Sequence, residues 1–158
     1  IDGGVDVIWI ETMSDLDEVR AAMEGVRRVS TETPIITTMT FDTNGHTMFG
    51  VSPEQAATAL IDAGAAAVGG NCGNGPDEIL DVLKKMSVVA PDGILVAKSN
   101  AGVPELVDGK AVYGAGPQAM ADYSVAARDV GARLIGGCCG STPEHIRAMA
   151  LALALGLD

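Results

Sequence analysis

Short apolar runs alternate along this chain with stretches in which apolar residues recur three and four positions apart, the imprint of strands followed by amphipathic helices. Val5 to Ile10 predicts a first strand ending at Glu11-Thr12, and Ser14, with Asp17 three residues on, predicts a helix reaching about Val29. Pro34 to Thr40, rich in β-branched residues, predicts a second strand. The polar, glycine-containing loop from Phe41 to Val51 follows, and Ser52-Pro53-Glu54-Gln55 caps a helix to Ala63. Ala65 to Gly69 reads as a third strand leading into Gly70-Asn71-Cys72-Gly73-Asn74-Gly75, after which Pro76 opens a helix to about Val89. Ile94 to Lys98 reads as a fourth strand, leading into Ser99-Asn100-Ala101-Gly102. A long loop from Val103 to Gly116 precedes Pro117 and a helix to Val130 with Met120, Tyr123 and Ala127 on one face. Arg133 to Gly136 gives the fifth strand and Pro143 to Leu155 the last helix.

Five strand-helix units in succession predict a parallel sheet with right-handed crossovers. Asp62-Ala63-Gly64-Ala65 through Gly69-Gly70-Asn71-Cys72-Gly73 is echoed by Asp129-Val130-Gly131-Ala132 through Gly136-Gly137-Cys138-Cys139-Gly140, at a constant offset of 67 residues. The echo continues from Pro76-Asp77-Glu78-Ile79 to Pro143-Glu144-His145-Ile146, so the third and fifth units are expected to present the same loop on one rim. Repeated loops on one rim suit a (β/α)8 TIM-barrel type of α/β fold, of which about five units are present; a doubly wound sheet is the alternative.

Composition narrows the chemistry. A length of 158 residues with 47% apolar and 3% aromatic content suits one α/β domain over residues 1–158. Ten basic against twenty-one acidic residues give a formal charge of -11, spread along the chain without a basic patch. That balance argues against nucleic acid or an anionic membrane as partner and leaves small-molecule chemistry. Apolar stretches are short and broken by glycine or charge, so no membrane span is expected, and nothing at the start reads as a signal peptide. The default compartment is the cytoplasm. Ile1 comes first and Asp2-Gly3-Gly4-Val5-Asp6 reads as the end of a connection from a preceding helix, so the chain is expected to be a fragment, truncated at its N-terminal side.

Three cysteines, two of them adjacent, make a poor disulfide framework and read as reduced thiols. Neighbouring side chains of a regular strand point to opposite faces, so Cys138 and Cys139 can serve one site only if the backbone leaves the pleat there, which the flanking glycines permit. Thr142-Pro143 reads as an N-cap with proline at the first helical position, placing the thiols between a strand's C-terminal end and a helix N-terminus. With Cys72 at a strand end of the same rim, three thiolates and no fourth fit Zn2+ with one position left for substrate. A lone buried cysteine would be an inert small hydrophobe; two glycine-rich strand ends carrying every cysteine of the chain favour a shared metal.

At these residues the sequence resembles the homocysteine S-methyltransferases, a family that includes the homocysteine-binding module of methionine synthase and the betaine-homocysteine methyltransferases. Glu11-Thr12, Gly70-Asn71-Cys72, Asn100-Ala101-Gly102-Val103-Pro104 and the run Gly136-Gly137-Cys138-Cys139-Gly140-Ser141-Thr142-Pro143-Glu144-His145-Ile146 carry the resemblance, the last being the specific one. It spans the whole chain and implies a (β/α)8 barrel with catalytic zinc on Cys72, Cys138 and Cys139. It implies that Glu11 binds the homocysteine amino group and that Asn100 can occupy the open zinc position when homocysteine is absent; composition alone would make Asn100 a turn residue. The family's first three strands, with an aspartate-glycine motif that helps hold substrate, have no counterpart in the chain.

The implied reaction is methyl transfer to the thiol of homocysteine, giving methionine, with the zinc-bound thiolate as nucleophile. A free thiol, with a pKa of about 8.5, is mostly protonated at neutral pH, and zinc would hold the thiolate form. The partners are homocysteine and a small-molecule or cofactor-borne methyl donor such as a sulfonium, a quaternary ammonium or methylcobalamin. Open barrel edges are expected to favour self-association. Two competing readings are a sugar-phosphate-type barrel, in which the glycine loops grip phosphate, and an inactive partial barrel acting as an assembly subunit. His145 and His46 read as packing and loop residues, Trp9 as core, and the acidic run Asp15-Leu16-Asp17-Glu18 as a helix N-terminus.

Overall fold

The computed structural model of the chain describes residues 1–155. In chain order the elements are β1 (Ile8–Met13), α1 (Leu16–Arg27), β2 (Ile35–Met39), α2 (Pro53–Asp62), β3 (Ala67–Cys72), α3 (Pro76–Val89), β4 (Leu95–Ser99), β5 (Pro104–Val107), β6 (Lys110–Tyr113), α4 (Pro117–Val130), β7 (Ala132–Gly137) and α5 (Pro143–Leu155). The parallel sheet runs β1-β2-β3-β4-β7, and the pair β5-β6 forms a separate antiparallel hairpin. Strands follow one another across the sheet with no reversal of direction, the order of a barrel wall and not of a doubly wound sheet, whose order turns back at a switch point.

Alternate residues of each strand face two different environments. Ile35, Met39, Val68, Leu95 and Ala97 pack into one core with Val19, Met23, Leu60, Ile79, Leu83, Met86, Met120 and Met149 of the helices, so all five helices cover the same face. Burying each of the larger side chains contributes about 1.5–3 kcal/mol, which makes this layer the main source of stability. The opposite, inner face holds only a small cluster of Ile36, Ala67 and Val96. A Cβ at Gly69 would overlap the Val96 carbonyl there, so β3 needs a glycine to lie this close to β4.

Local signals fix the helix starts. Ser52 and Gln55 form the capping box predicted for α2, and Pro53, Pro76, Pro117 and Pro143 each open a helix. Helix α1 differs: Asp15, not Ser14, is the N-cap, its carboxylate accepting from the N–H groups of Asp17 and Glu18. A carboxylate is the stronger acceptor at the positive end of a helix. β1 lies three residues later than predicted and takes in Glu11 and Thr12, and β3 runs on through Cys72 because Gly70, Asn71 and Cys72 continue their pairing with β4. The stretch read as a long loop contains the β5-β6 hairpin, turned by Asp108 and Gly109 at φ 49 and 75. Trp9 is on the inner face, 37% exposed, with its indole N–H donating to Thr38 Oγ1 at 3.2 Å; it is not a core residue.

Candidate metal centre

β3 and β4 pair up to Cys72 and Ser99, and β4 pairs in turn with β7 up to Ser99 and Gly137, so the cysteines of two different units reach the same rim. β7 ends at Gly137, and the chain leaves the pleat where the adjacent cysteines required it. The Cys138 N–H bonds the Ser99 carbonyl at 2.7 Å, and the Ser141 N–H closes a turn onto the Cys138 carbonyl at 3.2 Å. Gly140, third in that turn, has φ 79, the value a type II turn demands. Cys72 itself sits at φ 60, a left-handed conformation that costs a non-glycine residue about 1–2 kcal/mol.

The three Sγ atoms lie within 4.8 Å of one another. Cys72 Sγ is 3.2 Å from Cys138 Sγ and 3.8 Å from Cys139 Sγ. Zinc-sulfur bonds of about 2.3 Å in a tetrahedron put sulfurs roughly 3.8 Å apart. Changes of up to about 1 Å in the sulfur separations therefore bring all three onto one ion, and the donor set fits zinc. Cys72 and Cys138 are partly buried and Cys139 is exposed, which leaves the cluster open on one side. Burial pushes the Cys72 thiol up to about 12, and the other two sulfurs add to the rise. Cys138 goes the other way. Burial opposes its ionisation, but the Cys72 thiol, the Asn71 amide and the Cys139 backbone stabilise its thiolate and hold it below the ordinary thiol range. Three sulfurs this close can all ionise only beside a cation.

Two asparagines brace the cluster. Asn100, 7% exposed, accepts from the Cys139 N–H with Oδ1 at 3.0 Å and donates from Nδ2 to the Gly73 carbonyl at 2.8 Å, tying one cysteine loop to the other. Its amide oxygen is thus held by backbone and does not point freely into the mouth. Asn71, which sequence reasoning passed over as a functional residue, accepts from the Thr12 N–H at 3.0 Å and donates to Thr12 Oγ1 at 2.6 Å and to Cys138 Sγ at 3.9 Å. Only its place beside Cys72 in the echoed loop signalled it. Tyr113, at the end of the unforeseen hairpin, packs its ring over Gly140, where a Cβ would run into the ring.

Glu11 reaches the inner face and is paired with Lys98, whose ammonium also lies 4.9 Å from the Trp9 ring centre. Sequence reasoning named Glu11 and missed Lys98, although a lysine within an apolar strand was its signal. Neither histidine joins the cluster. His145 caps the start of α5 with its side chain: its Nδ1 accepts from the Thr142 N–H at 3.0 Å, so Nε2 carries the proton and donates to the Ala115 carbonyl at 3.0 Å. His46 is exposed in its loop. Four of the loop N–H groups that a phosphate grip would use are already bonded, those of Cys138 and Ser141 to carbonyls, Cys139 to Asn100, Asn74 to Glu78. A surface groove lined by Leu16, Arg20, Val51 and Glu54 lies between α1 and α2 and contains none of the cysteines.

The profile of the family described as homocysteine S-methyltransferase matches residues 1–153. The chain belongs to this family. It is similar to the methionine synthases of Mycobacterium leprae (strain TN) and Mycobacterium tuberculosis (strain ATCC 25618 / H37Rv), 35% and 36% identical over 159 residues that cover 98% of this chain and 13% of each relative. The chain thus spans about one eighth of the length of these relatives. Among solved structures, the homocysteine methyltransferase MmuM from Escherichia coli in its apo form superimposes with a TM-score of 0.75 at 24% identity, over 96% of this chain and 51% of that one. The oxidized form of the same protein gives 0.75 at 25% identity, over 95% and 46%. The likeness makes the five-stranded sheet an arc of a (β/α)8 barrel. Among the described residues no helix is long and apolar enough to cross a membrane.

Proposed function

We propose that the chain is the zinc-binding part of an enzyme that transfers a methyl group to the sulfur of homocysteine, giving methionine. The convergence of Cys72, Cys138 and Cys139 on one point, in a member of this family, carries the reading. These three residues would hold Zn2+, and when bound it would lower the pKa of a fourth sulfur ligand so that homocysteine is presented as its thiolate. The residues of the chain do the remainder. Asn100 and Asn71 fix the cysteine loops, and Glu11 takes the substrate ammonium once Lys98 gives way. The family resemblance also gives Asn100 a place at the open zinc position; taking it would require its oxygen to leave the Cys139 N–H, to which it is bonded at 3.0 Å.

In the transfer, the sulfur lone pair forms the new S–C bond while the donor's bond to the methyl carbon breaks and its electron pair stays with the donor. The thiol proton leaves to solvent on binding. Such a donor must carry a good leaving group, which a sulfonium, a quaternary ammonium or methylcobalamin provides. The product thioether is neutral and a weaker zinc ligand than a thiolate, which favours its release.

The test is methionine formation from homocysteine and a panel of methyl donors by the full-length protein that contains this chain, before and after chelation. Activity should disappear with the metal and return with added zinc. Methionine formed at the full rate after complete metal removal would overturn the reading.

A further inference from the structure

The five strands of the sheet carry only three charged side chains, Glu11, Lys98 and Arg133. Arg133 lies at the N-terminal end of β7, away from the cysteines. The other two pair with each other on the inner face, and their side chains remain 37% and 23% exposed. The stem of Lys98 lies beside Gly136 of β7, where an added Cβ would stand 3.5 Å from Lys98 Cγ, and its head lies over Trp9. Register places Lys98 opposite Asn71, one residue below Cys72, and opposite Gly136, two residues below Cys138. At about 3.3 Å per residue its backbone is roughly 3–7 Å below the level of the sulfurs. Two methylenes separate the sulfur of homocysteine from its α-carbon, a span of roughly 4–5 Å at ordinary bond lengths. A homocysteine with its sulfur at the cysteines therefore brings its ammonium and carboxylate down to the level of this ion pair.

An ion pair inside a binding site must be opened by whatever binds Glu11. An amine alone would replace one pairing by another and leave the Lys98 ammonium without a partner. An amino-acid zwitterion replaces one pairing by two. Resting on the methyl-transfer reading above, we propose that Lys98 binds the substrate carboxylate, so that Glu11 and Lys98 together form a clamp selecting an α-amino-acid thiol over simple aminothiols. Trp9 holds the lysine head at the right level while the site is empty.

The experiment measures binding of homocysteine and of its decarboxylated analogue, aminopropanethiol, to the zinc-loaded full-length protein and to its Lys98→Met and Lys98→Arg variants. Loss of a charged hydrogen-bond partner in Lys98→Met should weaken homocysteine about 10- to 100-fold. Aminopropanethiol should bind that variant as tightly as wild type or a few-fold tighter, because Glu11 has lost its internal competitor. Lys98→Arg should retain most of the preference for homocysteine. Equal losses for the two thiols in Lys98→Met, or no preference for homocysteine in the wild type, would overturn the clamp while leaving the methyl-transfer reading in place. Failure of the wild-type zinc protein to bind either thiol would overturn both.

Discussion

Asn100 holds two cysteine loops with one buried side-chain amide, bonded to the backbone of half-buried Gly73 and exposed Cys139. Removing it leaves the Gly73 carbonyl and the Cys139 N–H to water, a loss of about 0.5–1.5 kcal/mol for each hydrogen bond, and frees the two loops from one another. Asn100→Ala should therefore lower zinc affinity by about 10- to 100-fold, the usual loss when a group supporting a metal ligand is removed. Competition with a chromophoric chelator reads this directly; an unchanged affinity would show that the cysteine loops hold their own shape. The ligands themselves should be less forgiving. Cys72→Ala, Cys138→Ala and Cys139→Ala should each purify with much less than one zinc per chain, and full occupancy in all of them would dismiss the shared site. The grouping of the cysteines was legible in the sequence because residue type and strand-end position together named a chemistry, whereas Glu11 was singled out by the family resemblance. The bracing asparagines and Lys98 were only partly so, since an amide or an ammonium acquires its meaning from partners 27 to 87 residues away.

The helix starts were legible because proline and N-cap residues act on their own neighbours, as Ser52 and Gln55 do. The β5-β6 hairpin was not. Its strands are four residues each and almost wholly exposed, so no burial alternation marks them, and only Asp108-Gly109, a dipeptide suited to tight hairpin turns, gave the sign. The same hairpin is anchored from α5 through His145 and rests Tyr113 on Gly140. Gly140→Ala would combine a left-handed backbone with a clash against the Tyr113 ring, and should destabilise the protein by about 1–3 kcal/mol in urea unfolding. An effect below a few tenths of a kcal/mol would show that the ring does not press on the turn. His145→Ala removes both the capping acceptor and the bond to Ala115, for an expected loss of about 1–2 kcal/mol. His145→Gln keeps a side-chain acceptor for the Thr142 N–H and should lose less; equal losses would place the importance of His145 at Ala115 alone.

Across the whole molecule the helices bury one face of the sheet thoroughly and leave the other half open. Trp9 and Leu134 are 37% and 36% exposed on the inner face, and β1 and β7 end the sheet with free edges. Soluble proteins ordinarily cover both features. The isolated 158-residue chain should accordingly self-associate, and sedimentation should find it above monomer mass. A stable monomer with one sharp unfolding transition would contradict that expectation. The barrel character was legible from the strand-helix alternation and from the 67-residue echo, but the echo holds only in part. β3 continues through Asn71 and Cys72, whereas the matching Cys138 and Cys139 lie in a turn beyond β7, and it is this asymmetry that brings thiols of two units to one point.

The central claim is that three protein sulfurs hold a zinc ion with one place for the substrate sulfur, and zinc-edge X-ray absorption on the full-length protein tests it most directly. Without homocysteine the spectrum should show the three sulfurs of Cys72, Cys138 and Cys139. Saturating homocysteine should add one more sulfur at the ordinary zinc-thiolate distance of about 2.3 Å. A sulfur count that does not change on saturation would contradict the account.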